Sequence, residues 1–257
     1  MERILNRNAK IMISVCTTVN KEYYDRVAKS NIELFSKYWP NDIKLYVYSE
    51  DFEENNFSNV IFLKLFKESS DCLDFINRNK NKVFVPKTKL KPYKYDFLKF
   101  CYKSYTMCSH FRKSKEQYFI WLDADIVSLD NIPMQEIYNT LNEEKFSWFL
   151  NREKNKNNSN QRLKRHSETG FIIFNRYHPI AESFFNRFQE IYDSDELFDL
   201  EEQNDSYIFD FIKSKYDSKF FEKLTDGTAE NPLDQTFLKN VLYHPMGKLK
   251  NEKRHIS

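Results

Sequence analysis

The apolar run Phe119-Ile120-Trp121-Leu122 breaks off at Asp123-Ala124-Asp125 and resumes as Ile126-Val127. A short apolar run bounded by polar residues reads as a buried strand. Side chains alternate faces along a strand, so two carboxylates one residue apart at its end are expected to point the same way. Ionised carboxylates are costly to bury unless something compensates them, and a divalent cation does so well. The pattern predicts a metal site at the mouth of an α/β sheet, where the ligands of such sheets bind. A D-x-D arises easily by chance in an acidic chain, and a second copy, Asp193-Ser194-Asp195, lies between Tyr192 and Glu196. That copy follows no buried strand and reads as a solvated helix end or loop without a functional role.

Glycine usage narrows the options further. Only Gly170, Gly227 and Gly247 occur, no two of them close. A Walker phosphate loop and a G-x-G-x-x-G dinucleotide fingerprint both need clustered glycines, so both are excluded. Any nucleotide diphosphate must instead be held by a metal and by side chains. The formal net charge of +2 lacks the basic excess expected of a protein whose main partner is a nucleic acid backbone. Four cysteines (Cys16, Cys72, Cys101, Cys108) form no C-x-x-C pair and no metal-like spacing. With no secretory signal and no long apolar span, a reduced, cytoplasmic setting is the expectation. The 257 residues suit one α/β domain spanning 1–257.

Along the chain, Ile11 to Cys16 reads as a first strand followed by Thr17-Thr18, and Lys21 to Tyr38 as a helix stopped by Pro40. Ile43 to Tyr48 and Val60 to Leu65 read as strands, and such alternation argues for parallel βαβ organisation. Ser69 to Lys91 is polar and gives no clear element. Tyr93 to Phe111 reads as a helix leading into the strand before Asp123. Pro133 starts a helix, Phe146 to Leu150 and Gly170 to Asn175 read as strands, and Ala181 to Tyr192 and Asp234 to Tyr243 as helices. Asn151 to His166 is polar and basic, either a solvated loop or a flap that orders over a substrate.

The stretch His244-Pro245-Met246-Gly247-Lys248-Leu249-Lys250 spaces H-x-x-G-x-x-K. Histidine supplies an imidazole nitrogen, Gly247 permits close backbone approach to a ligand, and Lys250 offers positive charge to a phosphate. A lone histidine is more often structural. Joined to two carboxylates, however, it makes a mixed oxygen and nitrogen site that suits Mn²⁺ better than Ca²⁺.

Taken together, LDADIV and HPMGKLK resemble the signature of GT-A glycosyltransferases related to glycogenin and the bacterial lipopolysaccharide galactosyltransferases, a family-8-like group. SETGFIIFN (Ser167 to Asn175) resembles that family's glycine-containing acceptor-side strand, and LDQTFLKN (Leu233 to Asn240) its D-Q segment. Phe97-Leu98-Lys99 sits where the family places a basic residue facing the donor. The resemblance implies an α/β, Rossmann-like GT-A domain with a mostly parallel central sheet flanked by helices. It implies transfer of a sugar from a nucleotide-diphosphate donor, expected to be a UDP-sugar, to an acceptor hydroxyl with retention, assisted by Mn²⁺ (or Mg²⁺). By the same resemblance Asp123, Asp125 and His244 bind the metal, and Asp123 with Ala124 meets the donor. Gly247 and Lys250 hold the diphosphate, and Lys99 contacts the donor with Lys103 as a helper. Asp234 and Gln235 lie near the anomeric carbon and the acceptor, although both fit an ordinary helix N-terminus equally well.

The chain departs from the family in three places. Thr17-Thr18-Val19-Asn20 replaces the acidic residue that reads the base, leaving Thr17 and Tyr23 to meet it. Glu168 stands where an Asn or Asp is usual, and fits an acceptor contact, a base in an inverting reaction, or a surface pair with Lys164 or Arg165. Asn251-Glu252 replaces the usual Pro-Trp. Two other readings stay open: a haloacid-dehalogenase-like phosphatase with Asp123 as nucleophile, since D-x-D-x-V fits its motif, and a non-catalytic GT-A module binding carbohydrate or protein. The acceptor is left open among carbohydrate, lipid-linked and protein classes. The basic tail (Lys248, Lys250, Lys253, Arg254) leaves peripheral membrane contact open as well.

Overall fold

The computed structural model describes residues 11–82, 95–152 and 166–245. In chain order the strands are β1 (Ile13–Val19), β2 (Lys44–Ser49), β3 (Val60–Lys64), β4 (Tyr118–Leu122), β5 (Val127–Ser128), β6 (Ser147–Leu150), β7 (Glu168–Asn175), β8 (Phe221–Lys223) and β9 (Leu242–Tyr243). The α-helices are α1 (Lys21–Tyr23), α2 (Lys29–Tyr38), α3 (Leu65–Glu68), α4 (Ser70–Asn79), α5 (Phe97–Lys113), α6 (Met134–Thr140), α7 (Ala181–Asp193) and α8 (Asp205–Lys213). Seven strands form one sheet in the order β3-β2-β1-β4-β7-β6-β8, while β5 and β9 pair separately. Neighbours are parallel except around β7, which runs against both β4 and β6. The expected α/β architecture with a mostly parallel central sheet is therefore present.

The central strands are apolar on both faces because both faces are covered. Along β4 the side chains divide with period two. Phe119 and Trp121 join the core packed by α5, α7 and α8, and Tyr118, Ile120 and Leu122 join the core on the α2 side. Fully burying one such aromatic or aliphatic side chain is worth roughly 1.5–3 kcal/mol, so two cores of this size hold the sheet rigidly between its helices.

Several elements differ from the sequence reading, each for a local reason. Lys21 to Tyr38 is helical, but a π-turn at Tyr24–Ala28 separates α1 from α2. Leu65 opens α3 instead of closing β3. The polar stretch after Ser69 contains α4, which buries Cys72, Phe75 and Asn79 at helical spacing and leaves its charges outside. Asp234 to Tyr243 is not a helix: a 3₁₀ turn spans Pro232–Gln235, Asn240 takes a left-handed φ of 70°, and the chain then extends into β9. Left-handed backbone at a non-glycine residue ends helices rather than continuing them. Most of Asn151 to His166, together with Gly247 and Lys250, lies outside the described residues.

Antiparallel β7 is what builds the mouth of the sheet. Leu122 at the end of β4 pairs with Phe171, so Glu168, Thr169 and Gly170 lie beside the D-A-D turn. The amide of Asp123 donates to the carbonyl of Gly170 at 2.8 Å, extending that pairing by one residue. The β5–β9 ribbon pairs Val127 with Tyr243 and Ser128 with Leu242, which delivers His244 to the same place. Helix α2 and its C-terminal neighbour steady this ribbon: Asn31 Nδ2 donates to the carbonyl of Ala124 at 3.0 Å and Trp39 Nε1 to Ser128 Oγ at 3.0 Å.

Candidate active site

Asp123 and Asp125 lie just beyond β4, in a turn closed by the amide of Ile126 on the carbonyl of Asp123 at 2.9 Å. Strand alternation has ended there, so the two carboxylates reach different partners. Asp123 Oδ1 accepts from Trp121 Nε1 at 2.6 Å and from Lys103 Nζ at 2.8 Å. Asp125 lies with Oδ1 3.2 Å from His244 Nε2 and takes a hydrogen bond from the Tyr23 hydroxyl. Burial, reinforced by the Asp125 carboxylate, holds that hydroxyl protonated.

Lys103 projects from α5 between two carboxylates. Its ammonium donates to Asp123, lies 2.6 Å from Asp205 Oδ2 and donates to the carbonyl of Thr169 at 2.7 Å. Asp205, in the first turn of α8, also accepts from Thr169 Oγ1 at 2.6 Å. Burial alone would strip the lysine of its proton, but the two aspartates hold its pKa above the ordinary lysine range. Burial likewise pushes Asp205 up, and Lys103 together with the Thr169 hydrogen bond more than reverses it.

Glu168 opens β7 and is pinned from both directions. Oε2 lies 2.5 Å from Arg152 Nη1, while Oε1 accepts from the amide of Gly170 at 3.1 Å and lies 3.8 Å from His244 Nδ1. Just before it, Ser167 is anchored to α8, its amide and hydroxyl donating to Asp210 at 2.8 and 2.6 Å. Burial works against the Asp210 carboxylate, yet hydrogen bonds from His166, Lys213 and Ser167 bring its pKa down to about 2. His244 is 4% exposed. Burial presses its pKa down, and the facing carboxylates of Asp125, Glu168 and Asp123 raise it above the ordinary histidine value.

Gly170 makes this convergence sterically feasible. A Cβ there would stand 2.7 Å from His244 Cε1, 3.0 Å from Nδ1 and 3.2 Å from Asp123 Oδ2. One ligand atom each from Asp123, Glu168 and His244 falls within 4.8 Å of the others, so these three residues can hold a metal ion. Two further observations fit that use. His244 Nε2 is buried with the Asp125 carboxylate 3.2 Å away, and no better-aligned partner faces it among the described residues. Among the described residues the carboxylates of Asp123, Asp125, Glu168 and Asp205 also outnumber their cationic partners Lys103, Arg152 and His244. Carboxylate oxygens with one imidazole suit a hard divalent ion.

The remaining sequence candidates are spread more widely. Thr17 is buried on β1 with its hydroxyl unpartnered among the described residues. Lys99 is exposed on α5, its ammonium 5.9 Å from the Phe100 ring centroid, one turn before Lys103. Asp234 and Gln235 are exposed on the 3₁₀ turn capped by Asn231, and Gln235 donates to Asp226 at 2.7 Å and Thr228 at 2.6 Å. Sequence reasoning missed Asp205 and Arg152. Asp205 had a legible signal: Asn204-Asp205 precedes Tyr207-Ile208-Phe209 and Phe211-Ile212, a helix start before an apolar-periodic run. Arg152 had none, since nothing local distinguishes it from the basic residues that follow.

Solved structures share this arrangement of strands and helices. Mouse xyloside xylosyltransferase 1 superposes with a TM-score of 0.50 over 83% of this chain and 85% of that one, at 13% identity. An active-site mutant of LgtC does so with a TM-score of 0.53 over 91% and 87%, at 9% identity. The glycosyltransferase GlyE of Streptococcus pneumoniae gives 0.52 over 91% of this chain and 54% of its own length, at 10% identity. The chain has the GT-A fold. No protein-family model and no curated protein sequence matches it. Within this GT-A fold the carboxylates, Lys103 and His244 gather where β4 ends and β7 begins, the position that ligands of open α/β sheets favour. Among the described residues no helix is long and apolar enough to cross a membrane.

Proposed function

We propose that this protein is a metal-dependent glycosyltransferase that moves a sugar from a nucleotide-diphosphate donor to an acceptor hydroxyl. One observation carries the reading: the β5–β9 ribbon sets His244, from far along the chain, against the carboxylates of the D-A-D turn in a GT-A sheet. A phosphatase built on Asp123 would give that histidine no task. Asp123, Asp125 and His244 are the residues we assign to the ion, Mn²⁺ or Mg²⁺. When bound, such an ion supplies positive charge to the diphosphate and so assists departure of the nucleotide.

The chain's own groups divide the rest of the work. Lys103 stays protonated and orients Asp123, with Trp121 fixing the same carboxylate oxygen. Preorganised charge of this kind acts without reorganising during reaction. Lys103, rather than exposed Lys99, is the α5 cation assigned to the donor side. Thr17 on β1 and Tyr23 on α1 are assigned to the base, and a UDP-sugar with retention of configuration is the donor chemistry proposed. Gly247 and Lys250 are assigned to the diphosphate, Asp234 and Gln235 to the acceptor side. The acceptor itself is proposed only as a hydroxyl-bearing carbohydrate, lipid-linked or protein molecule.

Thermal unfolding against a panel of nucleotide diphosphates and nucleotide sugars, each with and without Mn²⁺, tests the assignment. A ligand at a hundredfold excess over its Kd stabilises the folded state by about 2.7 kcal/mol. The expected result is a rise in midpoint that needs both Mn²⁺ and one nucleotide and disappears in Asp125→Asn and His244→Ala. A rise with Mg²⁺ and beryllium fluoride but with no nucleotide would replace this reading by the phosphatase.

A further inference from the structure

Glu168 belongs to the metal-capable cluster although neither the D-x-D nor the histidine motif supplies it. Its two oxygens are used differently. Oε2 is occupied by Arg152, whereas Oε1 turns inward, toward His244 Nδ1 at 3.8 Å, and is steadied there by the amide of Gly170 at 3.1 Å. The side chain is nine-tenths or more buried. Because Gly170 has no Cβ, His244 Nδ1 and Asp123 Oδ2 close in over the same backbone position. Glu168 and Asp123 thus bring two carboxylates into one small cluster, where like charges repel. A cation between them removes that conflict, and the Cβ-free cradle at Gly170, with His244 Nδ1 and Asp123 Oδ2 over it, leaves room for their side chains to converge there.

We propose that Glu168 is itself a ligand of the divalent ion through Oε1, with Arg152 holding Oε2 so that a single oxygen faces the site. The consequence is that the protein grips the ion before any nucleotide arrives. This rests on the metal-dependent reading above and extends its ligand set beyond Asp123, Asp125 and His244. It also assigns Glu168 to the ion instead of to an acceptor hydroxyl or to proton transfer.

Titration of the full chain with Mn²⁺, with free Mn²⁺ followed by its electron paramagnetic resonance signal, tests this first without nucleotide and then with UDP. Wild-type protein is expected to bind Mn²⁺ without nucleotide. Glu168→Gln should weaken that binding roughly a hundredfold, the upper end of what losing even an orienting partner costs a metal site. Glu168→Asp keeps the charge but withdraws the carboxylate by one methylene, and should weaken it about tenfold. Wild-type affinity in Glu168→Asp overturns the proposal, because Glu168 would then act by charge alone. If His244→Ala loses Mn²⁺ while both Glu168 variants keep it, Glu168 is no ligand but the metal-dependent reading stands. If wild-type protein binds no Mn²⁺ with or without UDP, both fall. Melting of each variant in EDTA checks folding, and should Glu168→Gln fail to fold, Glu168→Asp decides.

Discussion

Two histidines in this protein are almost equally buried, His110 at 1% exposure and His244 at 4%, yet their surroundings push them in opposite directions. His110, on α5, packs against β1 and β2, where its Nε2 lies 2.9 Å from the Ser14 hydroxyl and Nδ1 3.2 Å from that of Tyr48. Burial with only neutral partners, aided by nearby Arg176, lowers its pKa to about 3. His244 meets three carboxylates, which overcome an equal burial and raise its pKa. Burial by itself therefore predicts little about a histidine; what decides is whether the groups facing it are neutral or anionic. The first site is core, built to be satisfied without charge. Among the described residues the second sets four carboxylates against Lys103, Arg152 and His244, the condition expected of a place that receives a cation.

The most severe way to break this contrast is to remove the cation around which the second region is arranged. Lys103→Met leaves buried Asp205 and partly buried Asp123 without their ammonium partner and should destabilise the protein by about 3 kcal/mol, read as a lowered urea midpoint. Next comes Gly170→Ala, whose methyl would overlap the His244 ring and press on Asp123. Overpacking of this kind costs about 1–3 kcal/mol, and calorimetry should show Mn²⁺ binding abolished even where the variant remains folded.

The histidines themselves then separate by pH. His110 has a folded pKa of about 3, below the unfolded value of ~6.5. The stability it leaves intact above ~6.5 is therefore lost as pH falls toward 3, by about 2 kcal/mol at pH ~5. His110→Gln should flatten that acid slope in urea unfolding measured at several pH values. His244 has the opposite sign: in metal-free protein its contribution is present below ~6.5 and fades as pH rises through its raised pKa. Mn²⁺ affinity should run the other way and increase with pH, because a metal ligand must be deprotonated. The smallest effect is expected at exposed Lys99, where Lys99→Ala should change stability by about 0.5 kcal/mol or less. A Mn²⁺-dependent nucleotide response lost in Lys99→Ala but retained in Lys103→Gln would reverse the assignment of the donor-side cation.

Most of the sheet was legible because buried central strands leave apolar runs that need no tertiary knowledge to recognise. The runs before Thr17, before Asp123 and after Gly170 became β1, β4 and β7 with only their ends displaced. Helix α4 was hidden by its charges, since a surface helix shows only a narrow apolar face. Asp234 to Tyr243 misled because its apolar spacing imitates a helix, while the left-handed backbone at Asn240 leaves no mark in the pattern. Asp123, Asp125 and His244 stood out as chemistry-bearing motifs. Glu168 was noticed as a departure, but its partner Arg152 was beyond reach, because an ion pair between residues sixteen apart has no local signature.

By itself the sequence determined the alternation of strands and helices, the abrupt acidic end of the fourth strand, and the absence of any glycine-rich phosphate loop. These are local properties, written in residues adjacent to one another. Only the tertiary structure decided that β7 would run against its neighbours and lay Glu168 beside Asp123. Only it decided that the β5–β9 ribbon would bring His244 to Asp125, and that Lys103 would stand between aspartates from two different elements. Those juxtapositions depend on strand order and register, which arise from packing two cores at once and cannot be read from any single stretch of chain.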